Sequence, residues 1–62
     1  MTKEEAIKAM NEGKKVTHRF FTDNEFIKIK NGNIVDEKGY ILHNFWFYRK
    51  EENWADGWSV FN

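Results

Sequence analysis

The chain reads as a small α+β domain, one N-terminal helix packed on an antiparallel meander sheet of four or five strands. Three observations predict it. Thr2 and Glu5 have the S/T-x-x-E spacing of a capping box, which opens a helix that Gly13 closes. From Val16 the apolar period changes from near 3.6 to 2, the mark of a strand. Asn31-Gly32 lies between two alternating segments, where a two-residue type I′ turn with positive φ at both positions matches the twist of a hairpin.

The helix is expected over residues 3 to 12. Ala6, Ile7 and Met10 fall on one side of it and Lys3, Glu4, Lys8 and Asn11 largely elsewhere, so it covers something apolar. Gly13, followed by Lys14 and Lys15, is a helix stop rather than a phosphate nest. Strands are expected near 15–21, 25–30, 33–36, 40–43 and 57–61, separated by the turn clusters Thr22-Asp23-Asn24, Asn31-Gly32 and Asp36-Glu37-Lys38-Gly39. Ala6, Ile7, Met10, Val16, Ile27, Ile29, Ile34, Ile41, Trp58 and Val60 form the expected core. The run Asn44 to Arg49 holds four successive rings and fits either a strand buried on both faces or a short helical turn. Arg49 to Asn53 is a charged, solvated loop.

Composition narrows the function classes. The 62 residues make one domain, 1–62, that can bury only about 60% of its unfolded surface. With no cysteine there is no disulfide and no thiolate metal site, and with no apolar run of roughly 20 residues there is no membrane span to expect; cytoplasm is the expected compartment. Ten basic residues balance ten acidic ones, which disfavours nucleic acid as the main partner. Six Phe, three Trp and two Tyr are more ring surface than one helix on a small sheet hides, so some of it is expected at an interface or pocket.

The residues offer little for catalysis. Ser59 is the single serine and sits in no nucleophile elbow, and a thiol is absent, so no catalytic residue is assigned. His18 and His43 have no metal-ligand spacing with the acidic residues, and no metal or cofactor is expected. His18 reads more simply as a strand histidine satisfied by a neighbour, the alternative being a polar contact in a pocket. Basic residues do alternate with rings: Arg19 beside Phe20 and Phe21, Lys28 beside Phe26, Arg49 beside Tyr48. Such pairs either solubilise the wet face of a sheet or stack a base and neutralise a phosphate.

The segment EEAIKAMNEGKKV, followed by a basic residue and bulky aromatics, together with the ending W-x-D-G-W-S-V-F, resembles the Thoeris anti-defence two family and the short phage and prophage proteins related to it. The likeness covers Glu5 to Phe21 and Trp54 to Phe61. In the middle the chain is shorter than typical members, and Phe20 or Phe21 stands where the family has a tryptophan after its first strand. The resemblance implies a homo-oligomeric α+β protein that sequesters a cyclic nucleotide-type immune messenger without cleaving it. Together with the basic and aromatic alternation it nominates Arg19 and Lys28 for phosphate and Phe21, Phe26 or Trp46 for stacking on a base. Phe45, Trp46, Phe47 and Trp54 are the expected oligomer interface. The alternative is an inhibitor that grips a host or bacterial defence protein through exposed aromatics.

Overall fold

A computed structural model describes all 62 residues. It has a helix α1 (Lys3–Asn11), strands β1 (Val16–His18), β2 (Ile27–Lys30) and β3 (Asn33–Asp36), a single 3₁₀ turn (Glu52–Trp54) and strand β4 (Trp58–Val60). The strands make one four-stranded sheet in the order β3-β2-β1-β4, antiparallel throughout. The first three strands are the expected meander, and β4 returns over residues 37–57 to pair with the free side of β1. No helix is long and apolar enough to cross a membrane.

The local signals act as their chemistry requires. Glu5 donates its amide to the Thr2 hydroxyl at 3.2 Å while its carboxylate accepts the Thr2 amide at 2.8 Å, which completes the capping box. At the other end Gly13 donates to the Met10 carbonyl and Lys14 to the Ala9 carbonyl, the paired bonds of a Schellman stop. Asn31 and Gly32 adopt φ of 53° and 81°, as a type I′ turn demands, and Lys30 pairs with Asn33 across it.

A second Thr-x-x-Glu unit, Thr22 to Glu25, closes the turn before β2: the Glu25 carboxylate accepts the Thr22 amide at 2.8 Å and the Thr22 carbonyl accepts the Glu25 amide at 3.2 Å. Both glutamates sit below the ordinary carboxylate range, Glu5 through its bonds from the Thr2 amide and hydroxyl and Glu25 through those from Thr22. A lowered folded-state pKa stabilises the fold fully above the ordinary value of 4.5, and that stability is lost as pH falls through the depressed value. Stability measured in urea is therefore expected to decline below about pH 4.5, and the double substitution Glu5→Gln with Glu25→Gln flattens that decline. An unchanged acid slope in the double variant contradicts this assignment.

The strands are shorter than expected at several ends. β1 stops at His18 instead of running to residue 21, because the Phe21 amide turns back to the His18 carbonyl at 2.8 Å and the Phe20 amide to the His18 ring. β2 starts at Ile27, since Thr22 to Glu25 are committed to their turn. Residues 40–43 form no fifth strand. The Asp36 carboxylate accepts the Lys38 and Tyr40 amides, both at 2.9 Å, and after this tight reversal only Ile41 reaches Val35, as a single bridge. Asn44, with φ of 56°, then bends the chain into the turns spanning His43–Tyr48, where the Tyr48 amide donates to the Asn44 carbonyl at 3.3 Å and the Arg49 amide to the Trp46 carbonyl at 3.1 Å; of the two readings of Asn44 to Arg49, the short helical turn is the one seen and the strand is not.

Seven buried residues form the core: Ala6, Ala9, Met10, Val16, Ile27, Phe45 and Trp58. Ile7, Ile29 and Ile34 pack against it partly buried, as do Phe21, Trp46 and Trp54. Two expected core residues are exposed. Ile41 (46%) lies outside β3 with only its one bridge, and Val60 (39%) sits at the end of an edge strand with a neighbour on one side. Their places are taken by Phe45, which the His43–Tyr48 turns deliver inward, by Ala9, and by Val35, buried outside the main cluster. Trp58 is the hub. Its ring meets His18, Phe21, Phe45, Trp46 and Trp54 at 4.7–6.2 Å between centroids, and its indole N–H donates to the Trp54 carbonyl at 2.8 Å.

Candidate functional site

The candidate site lies where β1 leaves the sheet, and His18 holds it together. This residue is 2% exposed. The Phe20 amide donates to its Nδ1 at 3.1 Å, so Nδ1 is an acceptor and the proton resides on Nε2. Nε2 faces the carbonyls of Asn53 (3.0 Å) and Asp56 (2.8 Å) and so ties the segment before β4 to the end of β1. Trp54, Trp58 and Phe20 enclose the imidazole at 4.4, 4.7 and 5.0 Å. Of the two readings left open by the residues alone, these contacts favour the satisfied strand histidine.

Beside it is a cavity of about 310 Å³. The register Thr17↔Ser59 places two hydroxyls on one wall, the turn after β1 adds Thr22 and Asp23, and Arg19 and Gly57 face each other across the β1–β4 pair. The Thr17 hydroxyl is engaged, donating to the Glu25 carbonyl at 2.8 Å. Arg19 and Asp23 enter neither of the two ion pairs in the structure, Met1–Asp56 and Lys14–Glu12. The guanidinium carbon of Arg19 lies 5.4 Å from the ring of Phe20, which is 54% exposed. The cavity thus offers one uncommitted cation, one uncommitted carboxylate, hydroxyls and an adjacent ring. Its volume is at the lower end of the 300–1,000 Å³ typical of small-molecule sites.

A second cavity of about 140 Å³ has an apolar lining from Phe21, Phe26, Leu42 and Phe45 and three carboxylates, Glu25, Asp36 and Glu37. Arg49 is its single cation; it stacks over Phe45 at 4.0 Å and Trp54 at 5.2 Å, donates to the Phe45 carbonyl at 3.3 Å, and keeps a buried Nε without a partner. Three acids around so small a space oppose an anionic ligand.

The residues nominated from sequence are only partly brought together. Arg19 and Phe21 share the larger cavity, and Phe21 also borders the smaller one with Phe26. Phe26 stacks on Phe61 at 4.8 Å with the Lys15 ammonium above it. Lys28 pairs with Val35 on the face of the sheet opposite Ile27 and Ile29 and lines neither cavity. Trp46 is on the helix side, edge to face with Trp58 at 5.3 Å beneath the Lys3 ammonium, and lines neither cavity.

Of the expected interface, Phe45 is a core residue, 4% exposed, and Trp46 and Trp54 are half-buried against the core; Phe47 remains exposed at 61%. Thr17, Thr22, Asp23, Gly57 and Ser59 were not anticipated as site residues. The alternation of Thr17 with Arg19 carries a faint signal, whereas Gly57 and Ser59 enter only through the β1–β4 register. No protein-family model, curated protein or solved structure matches the chain.

Proposed function

We propose that the chain is a phage-type anti-defence protein that binds a nucleotide immune messenger and sequesters it uncleaved, acting in the host cytoplasm, with Arg19 as the phosphate contact. The observation that carries this reading is the uncommitted Arg19 guanidinium at a polar cavity, next to the exposed Phe20 ring. A charge-assisted bond to phosphate and a ring for base stacking are what such a ligand requires. The resemblance bears on the same place: apart from Thr22 and Asp23, the cavity lining comes from the two matching ends, Glu5 to Phe21 and Trp54 to Phe61. A cyclic dinucleotide exceeds this space, so a second copy closes the site, and a homo-oligomer is part of the proposal.

Calorimetry against cyclic ADP-ribose isomers and cyclic di- and trinucleotides tests it. Heat is expected with at least one, at fewer than one ligand per chain if two copies share it, and the ligand returns intact after denaturation. Arg19→Gln is expected to cost about 1.5–3 kcal/mol of binding, roughly a tenfold to hundredfold loss of affinity. No heat with any member of the panel overturns the proposal.

The second reading, an inhibitor of a host or defence protein, is favoured by a different surface. Phe47 and Tyr48 stand 61% and 68% exposed, edge to face at 5.2 Å, with the Lys50 ammonium over Phe47 at 4.5 Å. Exposed, mutually braced rings are the kind of residue that dominates binding energy at protein interfaces. Capture of a defence protein that Phe47→Ala abolishes, with calorimetry silent, selects this reading.

A further inference from the structure

We infer that Gly57 is the positioning residue of the Arg19 cavity: a bare backbone there lets the arginine stem lie across the start of β4 and so presents the guanidinium to the ligand. The inference rests on the reading of this cavity as an anion site. Gly57 is in the left-handed region, with φ of 89°, and its carbonyl accepts the Arg19 amide at 3.1 Å, so the two backbones are locked side by side. A Cβ at this position would lie 3.1 Å from His18 Nε2 and 3.2 Å from both Cγ and Cδ of Arg19.

The two neighbours respond differently to such an intrusion. The imidazole cannot yield, because it is buried, enclosed by rings and bonded at both nitrogens. The arginine is exposed, so its stem is the neighbour that gives, by the few tenths of an ångström such a contact requires. Because the contact is at the middle of the stem, a small displacement there grows toward the tip and shifts the guanidinium from its place among Ser59 and Thr22. The other three glycines have open space where a Cβ would go, which sets Gly57 apart as the one whose missing side chain bears on a neighbour.

The chain is short enough for total synthesis, which allows L- and D-alanine to be compared at this position. Gly57→Ala puts a methyl against Arg19 and His18 and also strains the backbone at φ of 89°, so the Arg19 signal and not stability is the readout; Gly57→D-Ala suits the positive φ and carries its methyl on the other side of the backbone. Adenosine 5′-monophosphate is the probe, followed by NMR of the Arg19 Nε–H and of the Thr22 and Ser59 amides.

In the native chain and in Gly57→D-Ala, all three signals are expected to move with equal affinity. In Gly57→Ala the affinity is expected to fall about tenfold or more and the Arg19 signal to stay still. Native affinity in Gly57→Ala, or an equal loss in Gly57→D-Ala, overturns the inference while leaving the site reading intact. No shift of any cavity signal in the native chain overturns both. If Gly57→Ala does not fold, the native complex decides: an Arg19 Hδ to Gly57 Hα Overhauser contact in the bound state supports the inference, and its absence overturns it.

Discussion

Trp58→Ala is expected to remove at least a third of the chain's stability, and at worst to leave it unfolded at room temperature. Trp58 is 2% exposed and touches most of the rings that fill the interior, so its removal opens a cavity that a one-helix, four-stranded domain has no second layer to fill. Truncations of buried Phe or Trp to alanine cost about 3–5 kcal/mol. A domain of this length has on the order of 3–9 kcal/mol in total, so the loss consumes a third of it at least and all of it at worst. The Trp54 carbonyl also loses its indole donor. In thermal unfolding followed by near-ultraviolet circular dichroism, a midpoint lowered by more than about 12 °C, or no transition at all, is the expected result. Trp58→Phe keeps much of the buried area and is expected to fall between the two. A Trp58→Ala midpoint within a few degrees of the native one contradicts this account of the core.

His18→Phe tests the other hub and separates packing from hydrogen bonding. Phenylalanine keeps a ring among Trp54, Trp58 and Phe20, yet it strands the Phe20 amide and the carbonyls of Asn53 and Asp56. Buried groups left without partners cost about 1–3 kcal/mol each, while the carbonyls near the surface recover part of that from water. A net loss of about 2–4 kcal/mol is expected in urea titration. Because those carbonyls hold the segment before β4, protection of the Arg19 amide, bonded to Gly57, is expected to fall further than that of β2 and β3 amides in hydrogen exchange. Native stability with the Arg19 amide still protected contradicts the role given to His18. The functional consequence follows from the geometry: the Gly57 and Ser59 wall of the larger cavity is secured to β1 through this imidazole.

Arg19 and Phe21 both line the larger cavity, where the chemistry of a guanidinium beside rings had pointed, yet β1 ends at His18 and it is the turn after it, not a strand's period of two, that puts them there. Lys28, beside Phe26, carried the same local signal and went to the far face of the sheet, while Trp46, nominated from the run of four rings, lies under α1. Thr22 and Asp23 read as turn residues, which they are; their second role at the cavity follows from where β1 stops.

By itself the sequence determined what neighbouring residues settle among themselves: the capping box at Thr2, the stop at Gly13, the Asn31-Gly32 hairpin and, through apolar periodicity, one helix on an antiparallel sheet. The tertiary structure alone decided which rings go inside. Phe45 and Phe47 are two residues apart in the same aromatic run, and no local preference distinguishes them. One is buried because the left-handed Asn44 and the turns after it aim it at Trp58, while the other points to solvent. The same holds for the cavity, whose halves are some forty residues apart in the chain and meet through the β1–β4 pairing, in the Thr17↔Ser59 register and the Arg19–Gly57 bond. Pairing over that distance is selected by burial of Trp58 and by the His18 bonds, energies that exist only once the whole core has assembled.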